Sequence, residues 1–144
     1  MRLSSVSALI LVSSFLMTGC GGAPPAGGPD LSSPSGFLAA FQAHAANGDV
    51  DAMSALVGHA RSGSLLEEYA FPLVVRGGEF HRYLMSLTPR DLSPEGGSGQ
   101  YGFFLYSEDG VDEEGVETGS AVMVIIAPAG PEGTYRIVDS IFAG

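Results

Sequence analysis

The residue best suited to acid–base chemistry is Asp139, which lies in the strand-like segment GTYRIVDSIFA. Because side chains alternate along a strand, Asp139 is expected on the face shared by Tyr135, Ile137 and Ile141. An acid among apolar side chains needs a partner, since burial disfavours the charged carboxylate. We therefore expect Asp139 either to accept a proton in a reaction or to be solvated or paired in a structural contact.

A base alone does not complete an enolising site, because the developing oxyanion also needs a hydrogen-bond donor. Arg136 is expected on the opposite face of the strand from Asp139. Tyr135 lies roughly 13 Å from Asp139 at about 3.3 Å per residue, which leaves Tyr101 as a donor only if the strands pair to bring it near. The candidate pocket therefore consists of Tyr101, Phe103, Tyr135 and Asp139. The alternative is that the aromatic residues fill the core, as they do in most small domains.

Other motifs do not support a cofactor, a metal or a nucleophile. The pattern GSGQYG at 97–102 precedes a strand-like run, whereas a phosphate-binding loop precedes a helix. His44, His59 and His81 have neither the spacing nor the cysteine partners of a zinc site. The acidic cluster at 108–114 lacks the ligand order of a calcium loop and is typical of a solvated turn. We expect no metal, no cofactor and no assigned catalytic residue.

The only cysteine, Cys20, follows an arrangement typical of an export signal. Arg2 stands in a short head, residues 6–17 form an apolar run, and two small residues precede the cysteine. The run is too short to span a bilayer, which needs about 20 residues. The tetrapeptide MTGC resembles the lipobox of bacterial lipoproteins, with Met17 where leucine is usual. The alternative is an ordinary signal peptide cut nearby, which would leave a free thiol.

The lipobox resemblance implies that residues 1–19 are a signal peptide. It also implies that Cys20 carries diacylglycerol, usually with a further acyl chain such as palmitate on its amine. Two or three acyl chains anchor a protein stably, whereas one holds it only marginally. Residues 20–34 are rich in Gly, Pro and Ser and are expected to form a disordered tether. The expected location is the cell envelope, and Gly21 implies the outer membrane if the host is Gram-negative.

Charge and composition restrict the partners of the rest of the chain. Six arginines stand against 16 acidic residues, so the formal charge is −10 and binding to nucleic acid is not expected. With 144 residues and 45% hydrophobic content, the chain is expected to form one folded domain, which begins near residue 35 and extends to 144.

Hydrophobic periodicity predicts an α+β domain in which N-terminal helices pack on one face of a curved antiparallel sheet. The expected helices are PSGFLAAFQAHAAN and VDAMSALV, which form a helical hairpin, and EFHRYLMSL. The expected strands are PLVV and then QYGFFLYSE, VETGSAVMVIIAPA and GTYRIVDSIFA, whose spacing suggests an antiparallel meander. Residues 58–71 stay open between helix and loop. We expect Phe41, Leu84 and Ile125 to be buried in one cluster.

Three segments resemble the nuclear transport factor two-like superfamily: GDVDAM after the first helix, VVRGGEFHRYL in the middle and GTYRIVDSIF at the end. The resemblance covers residues 35–143 and implies a cystatin-like, cone-shaped roll, in which Gly77 and Gly78 permit the turn into the third helix. Members of the superfamily include isomerases, dehydratases, small-molecule binders and interaction modules. The resemblance therefore does not fix a function.

We expect the domain to be a membrane-anchored binding or protein-interaction module. Its expected partners are the membrane, through lipid on Cys20, and a small apolar ligand or an envelope protein, and a homodimer through the sheet face is an alternative. An isomerase or dehydratase that uses Asp139 with Tyr101 or Tyr135 is the second hypothesis. The binding hypothesis is preferred because it requires no residue that the sequence lacks.

Overall fold

The computed structural model describes residues 28–58, 71–107, 110–111, 113–115 and 117–143. In this part of the chain the fold is α+β, with short helices and an open, four-stranded antiparallel sheet. The described helices are α1 (Pro34–Asn47), α2 (Val50–Ser54), α3 (Phe71–Val74) and α4 (His81–Ser86). The strands are β1 (Ser93–Pro94), β2 (Tyr101–Tyr106), β3 (Gly110–Val111), β4 (Glu117–Thr118), β5 (Ala121–Ala127) and β6 (Arg136–Ala143). No helix of the described residues is long and apolar enough to cross a membrane.

The predicted helical hairpin is present, and each of its helices begins where a polar side chain caps it. The Ser33 hydroxyl accepts a hydrogen bond from the Gly36 N–H at 3.1 Å, and the Asp49 carboxylate accepts one from the Ala52 N–H at 2.9 Å. Between the two helices, Gly48 adopts a left-handed conformation with φ of 69°, which glycine tolerates without a steric penalty. Local sequence is therefore sufficient to define both ends of the turn.

The predicted strand PLVV is wrong, because Phe71–Val74 forms a helical turn. Phe71 and Val74 are both buried, which is the i, i+3 spacing of a helix. A run of four apolar residues does not distinguish helical from strand periodicity, so tertiary packing decides. Gly77 then turns the chain with φ of 89°, as expected for the turn into α4.

The three long strands form the predicted meander, in the sheet order β1-β2-β5-β6. Phe103 of β2 lies opposite Val124 of β5, and Val124 lies opposite Ser140 of β6. The face of the sheet that carries Phe103 and Val124 packs against the helices, and we call it the inner face. The opposite side is the outer face.

The predicted core is correct in its helical members and wrong in its strand member. Phe41 of α1 and Leu84 of α4 are both fully buried in the main hydrophobic cluster. Ile125 is only partly buried and lies on the outer face, whereas its neighbours Val124 and Ile126 are buried on the inner face. The run VMVIIA is apolar at every position, so its sequence does not reveal which residues point inward.

Candidate functional site

A β-bulge in β6 decides where Asp139 lies. Ile137 pairs with Ile126 and Asp139 pairs with Ile125, so two residues of β6, Ile137 and Val138, span a single step of β5. An extra residue in one strand shifts the alternation of all residues beyond it. Asp139 therefore lies on the outer face, and the prediction that it shares a face with Tyr135 and Ile137 is wrong.

The bulge also reverses the prediction for Arg136. Arg136 pairs with Ala127 and Asp139 pairs with Ile125, and residues 125 and 127 lie on the same side of β5. Both charged residues are thus on the outer face, not on opposite faces as the alternation predicted. Asp139 is exposed, and its Oδ1 accepts a hydrogen bond from the Ser140 N–H at 2.8 Å.

The three aromatic members of the candidate pocket are on the other side of the sheet. Phe103 is 1% exposed and its ring lies 6.1 Å from that of Phe41. Tyr135, 9% exposed, is packed against Tyr101 with 6.3 Å between the ring centroids. These side chains occupy the space between sheet and helices. The structure brings Tyr101, Phe103 and Tyr135 together but separates them from Asp139.

Of the other residues considered for chemistry, the structure describes only some. Cys20 lies outside the described residues, as does His59. The His81 Nδ1 forms a hydrogen bond with the Val74 carbonyl at 2.9 Å, which joins α4 to α3. No group of three or more His, Cys, Asp or Glu side chains within the described ranges is suitable for a metal ion.

A surface that the sequence did not predict lies on the outer face. Phe104, Met123 and Ile141 stand opposite one another across β2, β5 and β6 and form an apolar row. Phe104 is 44% exposed and Ile141 is 52% exposed, while Tyr106, next to Phe104 on the same face, is 43% exposed. We call Phe104, Tyr106, Met123, Ile125 and Ile141 the outer apolar face. Its signal in the sequence is the apolar run of β2 and that of β5, because a continuous apolar run supplies apolar side chains to both faces of the sheet.

Beside this face, a groove lies between α4 and the C-terminal half of β2. The short strand β1 pairs only with the N-terminal half of β2, at Tyr101 and Gly102. The Tyr83 ring meets the Tyr106 ring edge-on, with 5.1 Å between centroids and 76° between planes. Phe104 lies nearly parallel to Tyr106 at 6.0 Å. The groove has a volume of about 300 Å³ and is lined by Tyr83, Leu87, Arg90, Asp91, Ser93, Phe104 and Tyr106. We call it the aromatic groove.

Hydrogen bonds from α1 fix the wall that carries Tyr83. The Gln42 side-chain amide donates to the carbonyls of Leu84 and Leu87, at 2.8 and 2.9 Å. Both leucines are buried, which fixes the last turn of α4. The backbone position of Tyr83 is thus set by the packing of α4 against the core.

The polar end of the aromatic groove is organised by Asp91. Its Oδ2 accepts hydrogen bonds from the Thr88 N–H at 2.7 Å and from the Thr88 hydroxyl at 2.9 Å. These bonds hold the pKa of the Asp91 carboxyl below its usual range, because they favour the charged form. Asp91 is therefore an anion beside the aromatic rings at neutral pH.

A second open cavity, of about 350 Å³, is lined by Gly77, Gly78, Glu79 and Arg82 at the turn into α4. None of these four residues is aromatic, in contrast to Tyr83, Phe104 and Tyr106 of the aromatic groove. The outer apolar face and the aromatic groove are thus the candidate interaction surfaces. The chain matches no protein-family model, no curated protein and no solved structure.

Proposed function

We propose that this chain is a membrane-anchored bacterial lipoprotein whose α+β domain is a protein-interaction module. The observation that carries the proposal is the row Phe104–Met123–Ile141, which presents apolar side chains on a sheet face opposite the packed core. A soluble domain rarely leaves large apolar side chains adjacent to one another in solvent unless they form a contact surface. The outer apolar face is that surface.

The inner face does not serve as well for binding, since core side chains occupy it. Phe37, Phe41, Phe71 and Phe103 are each at most 1% exposed between sheet and helices. The acid–base alternative also loses support, because the sheet separates Asp139 from Tyr101 and Tyr135. We also propose that the helices and the sheet are arranged as in the cone-shaped roll of nuclear transport factor two-like domains.

Charge favours a protein over the bilayer as the occupant of the outer apolar face. The chain carries a formal charge of −10, and an anionic lipid surface repels such a domain. The predicted tether 20–34 is too long, because Leu31 packs against the core and its carbonyl accepts a hydrogen bond from the Tyr135 N–H at 2.7 Å. The segment from Cys20 to Asp30 reaches about 35 Å when fully extended, at about 3.5 Å per residue. Lipid on Cys20 would therefore keep the domain near the membrane without pressing this face against it.

The proposal is tested by a photo-crosslinking amino acid at position 104 in the envelope of the producing cell. We expect a discrete crosslinked protein, and Ile141→Asp is expected to abolish it, because a charge placed within the apolar row lacks a partner there. Met85→Asp is the matched control, since Met85 is exposed on α4 and does not belong to the outer apolar face.

Three outcomes would overturn the proposal of a protein partner. Crosslinking to lipid alone would identify the face as a membrane contact. A product that contains only a second copy of this chain would identify a homodimer interface. A product that Ile141→Asp leaves unchanged would show that the apolar row is not the contact.

A further inference from the structure

The aromatic groove combines ring faces with hydrogen-bond donors. Tyr83 and Tyr106 stand nearly perpendicular, so they present two walls that differ in direction, and Phe104 extends the Tyr106 wall. Tyr83, Phe104 and Tyr106 are each more than a third exposed. The rings hold one another in place, which lowers the entropy that is lost when a ligand orders them.

The donors of the groove lack acceptors within the described part of the chain. No hydrogen bond or ion pair to a described residue involves the Arg90 guanidinium or the hydroxyls of Tyr83 and Tyr106. A guanidinium has five N–H donors and each phenol has one. The groove therefore suits a ligand that is rich in acceptors and poor in donors.

An extended proline-rich peptide has this composition. A polyproline II helix makes no internal hydrogen bonds, so its carbonyls are available as acceptors, while proline has no N–H to satisfy. Its rings pack against aromatic walls, and its conformation is formed before binding, so that little entropy is lost. An amphipathic helix, in contrast, satisfies its own carbonyls and would leave the three donor side chains of the groove without acceptors.

The charge of the groove adds a preference for the flanks of the peptide. Oδ2 of Asp91 is held by Thr88, whereas Oδ1 receives no hydrogen bond from a described residue. A basic residue next to the prolines would pair with this oxygen. The formal charge of −10 on the chain strengthens the attraction at low ionic strength.

We propose that the aromatic groove, formed by Tyr83, Phe104, Tyr106 and Arg90, binds a proline-rich segment of the partner protein with a basic residue at its flank. This proposal rests on the proposed function, because it names the class of peptide that the interaction module recognises. Phe104 belongs to both surfaces, so the peptide would continue from the groove onto the outer apolar face.

The test is a fluorescence-anisotropy titration of the mature chain, made soluble by Cys20→Ala, with a labelled peptide of eight prolines and a terminal arginine. The comparison peptide has the same length and charge with glycine and serine in place of proline. We expect saturable binding of the proline peptide only. Tyr106→Ala is expected to weaken it at least tenfold, and Met85→Ala on α4 is expected to leave it unchanged.

Two further variants separate hydrogen bonding from packing. Tyr83→Phe keeps the ring and removes the hydroxyl, so we expect a loss of several-fold in affinity without a change in thermal unfolding. Arg90→Gln removes the charge and most donors and is expected to have an effect of similar size. Unchanged affinity in both variants would show that the donors do not contact the peptide and would overturn the assignment.

Other occupants would appear as distinct outcomes. Equal affinity for the proline and the glycine-serine peptides would contradict proline recognition. Displacement of the proline peptide by a soluble glycan fragment at comparable concentration would assign the groove to carbohydrate. Equal binding of a peptide of residues 21–30 would make the tether of this chain the occupant. If the groove fails while crosslinking at position 104 still depends on Ile141, only this inference is wrong and the proposed function stands.

Discussion

Replacing Phe41 by alanine tests the assignment of the inner face as the core. The Phe41 ring is fully buried and lies 6.1 Å from each of the rings of Phe37, Phe71 and Phe103. Truncating a buried phenylalanine typically lowers the free energy of unfolding by about 3 to 5 kcal/mol, through lost burial and the cavity that remains. Because three aromatic contacts are lost at once, we expect a value in the upper part of that range.

A loss of this size is a large fraction of the stability of a domain, which is commonly about 5 to 15 kcal/mol. The assay is urea unfolding of the mature chain, in which the midpoint should fall while the dependence of the free energy on urea stays the same. Phe104→Ala is the matched control, because it makes the same chemical change at a position that is 44% exposed. We expect it to cost less than about 1 kcal/mol. Equal losses for the two variants would refute the assignment of inner and outer faces.

Three further predictions concern the anchor and the polar end of the aromatic groove. Cys20→Ala is expected to move the protein from the detergent phase to the aqueous phase, and a variant still acylated and membrane-bound would contradict lipidation at this residue. In a Gram-negative host, fractionation is expected to place the protein in the outer membrane, because Gly21 is not the aspartate that retains lipoproteins in the inner membrane; recovery with the inner membrane would refute this. Hydrogen bonds from Thr88 lower the pKa of the Asp91 carboxyl. The stability that this interaction contributes is fully present above the usual pKa of about 3.9. It is lost as the pH falls through the lowered pKa. Thermal unfolding should therefore show a difference between the protein and Asp91→Ala at neutral pH that shrinks in acid, and a difference that grows in acid would contradict this sign.

Local signals in the sequence predicted the helical hairpin correctly, because each signal acts within a few residues. Ser33 and Asp49 cap the helices that follow them, and Gly48 ends the first helix, all through hydrogen bonds or dihedral angles of adjacent backbone. The burial of Phe41 and Leu84 followed from the helical spacing of the apolar residues, whereas Tyr83, which shares that spacing in α4, is exposed. The meander was predictable because its turn residues separate three long β-type runs.

The faces of the strands were decided only by the tertiary structure. Ile125 lies in a run that is apolar on both faces, so its direction depends on the register with β2 and β6. The bulge at Val138 is likewise a property of strand pairing, and it moved Asp139 away from the tyrosines with which the sequence had associated it. The aromatic groove requires Tyr83 to meet Tyr106, and the docking of α4 through Gln42 supports that contact. Sequence by itself determined where helices are capped, where the chain turns and which segments are apolar, because these features depend on neighbouring residues. Long-range pairing determined which side chains face one another, because strand register depends on interactions between segments that are distant in the sequence.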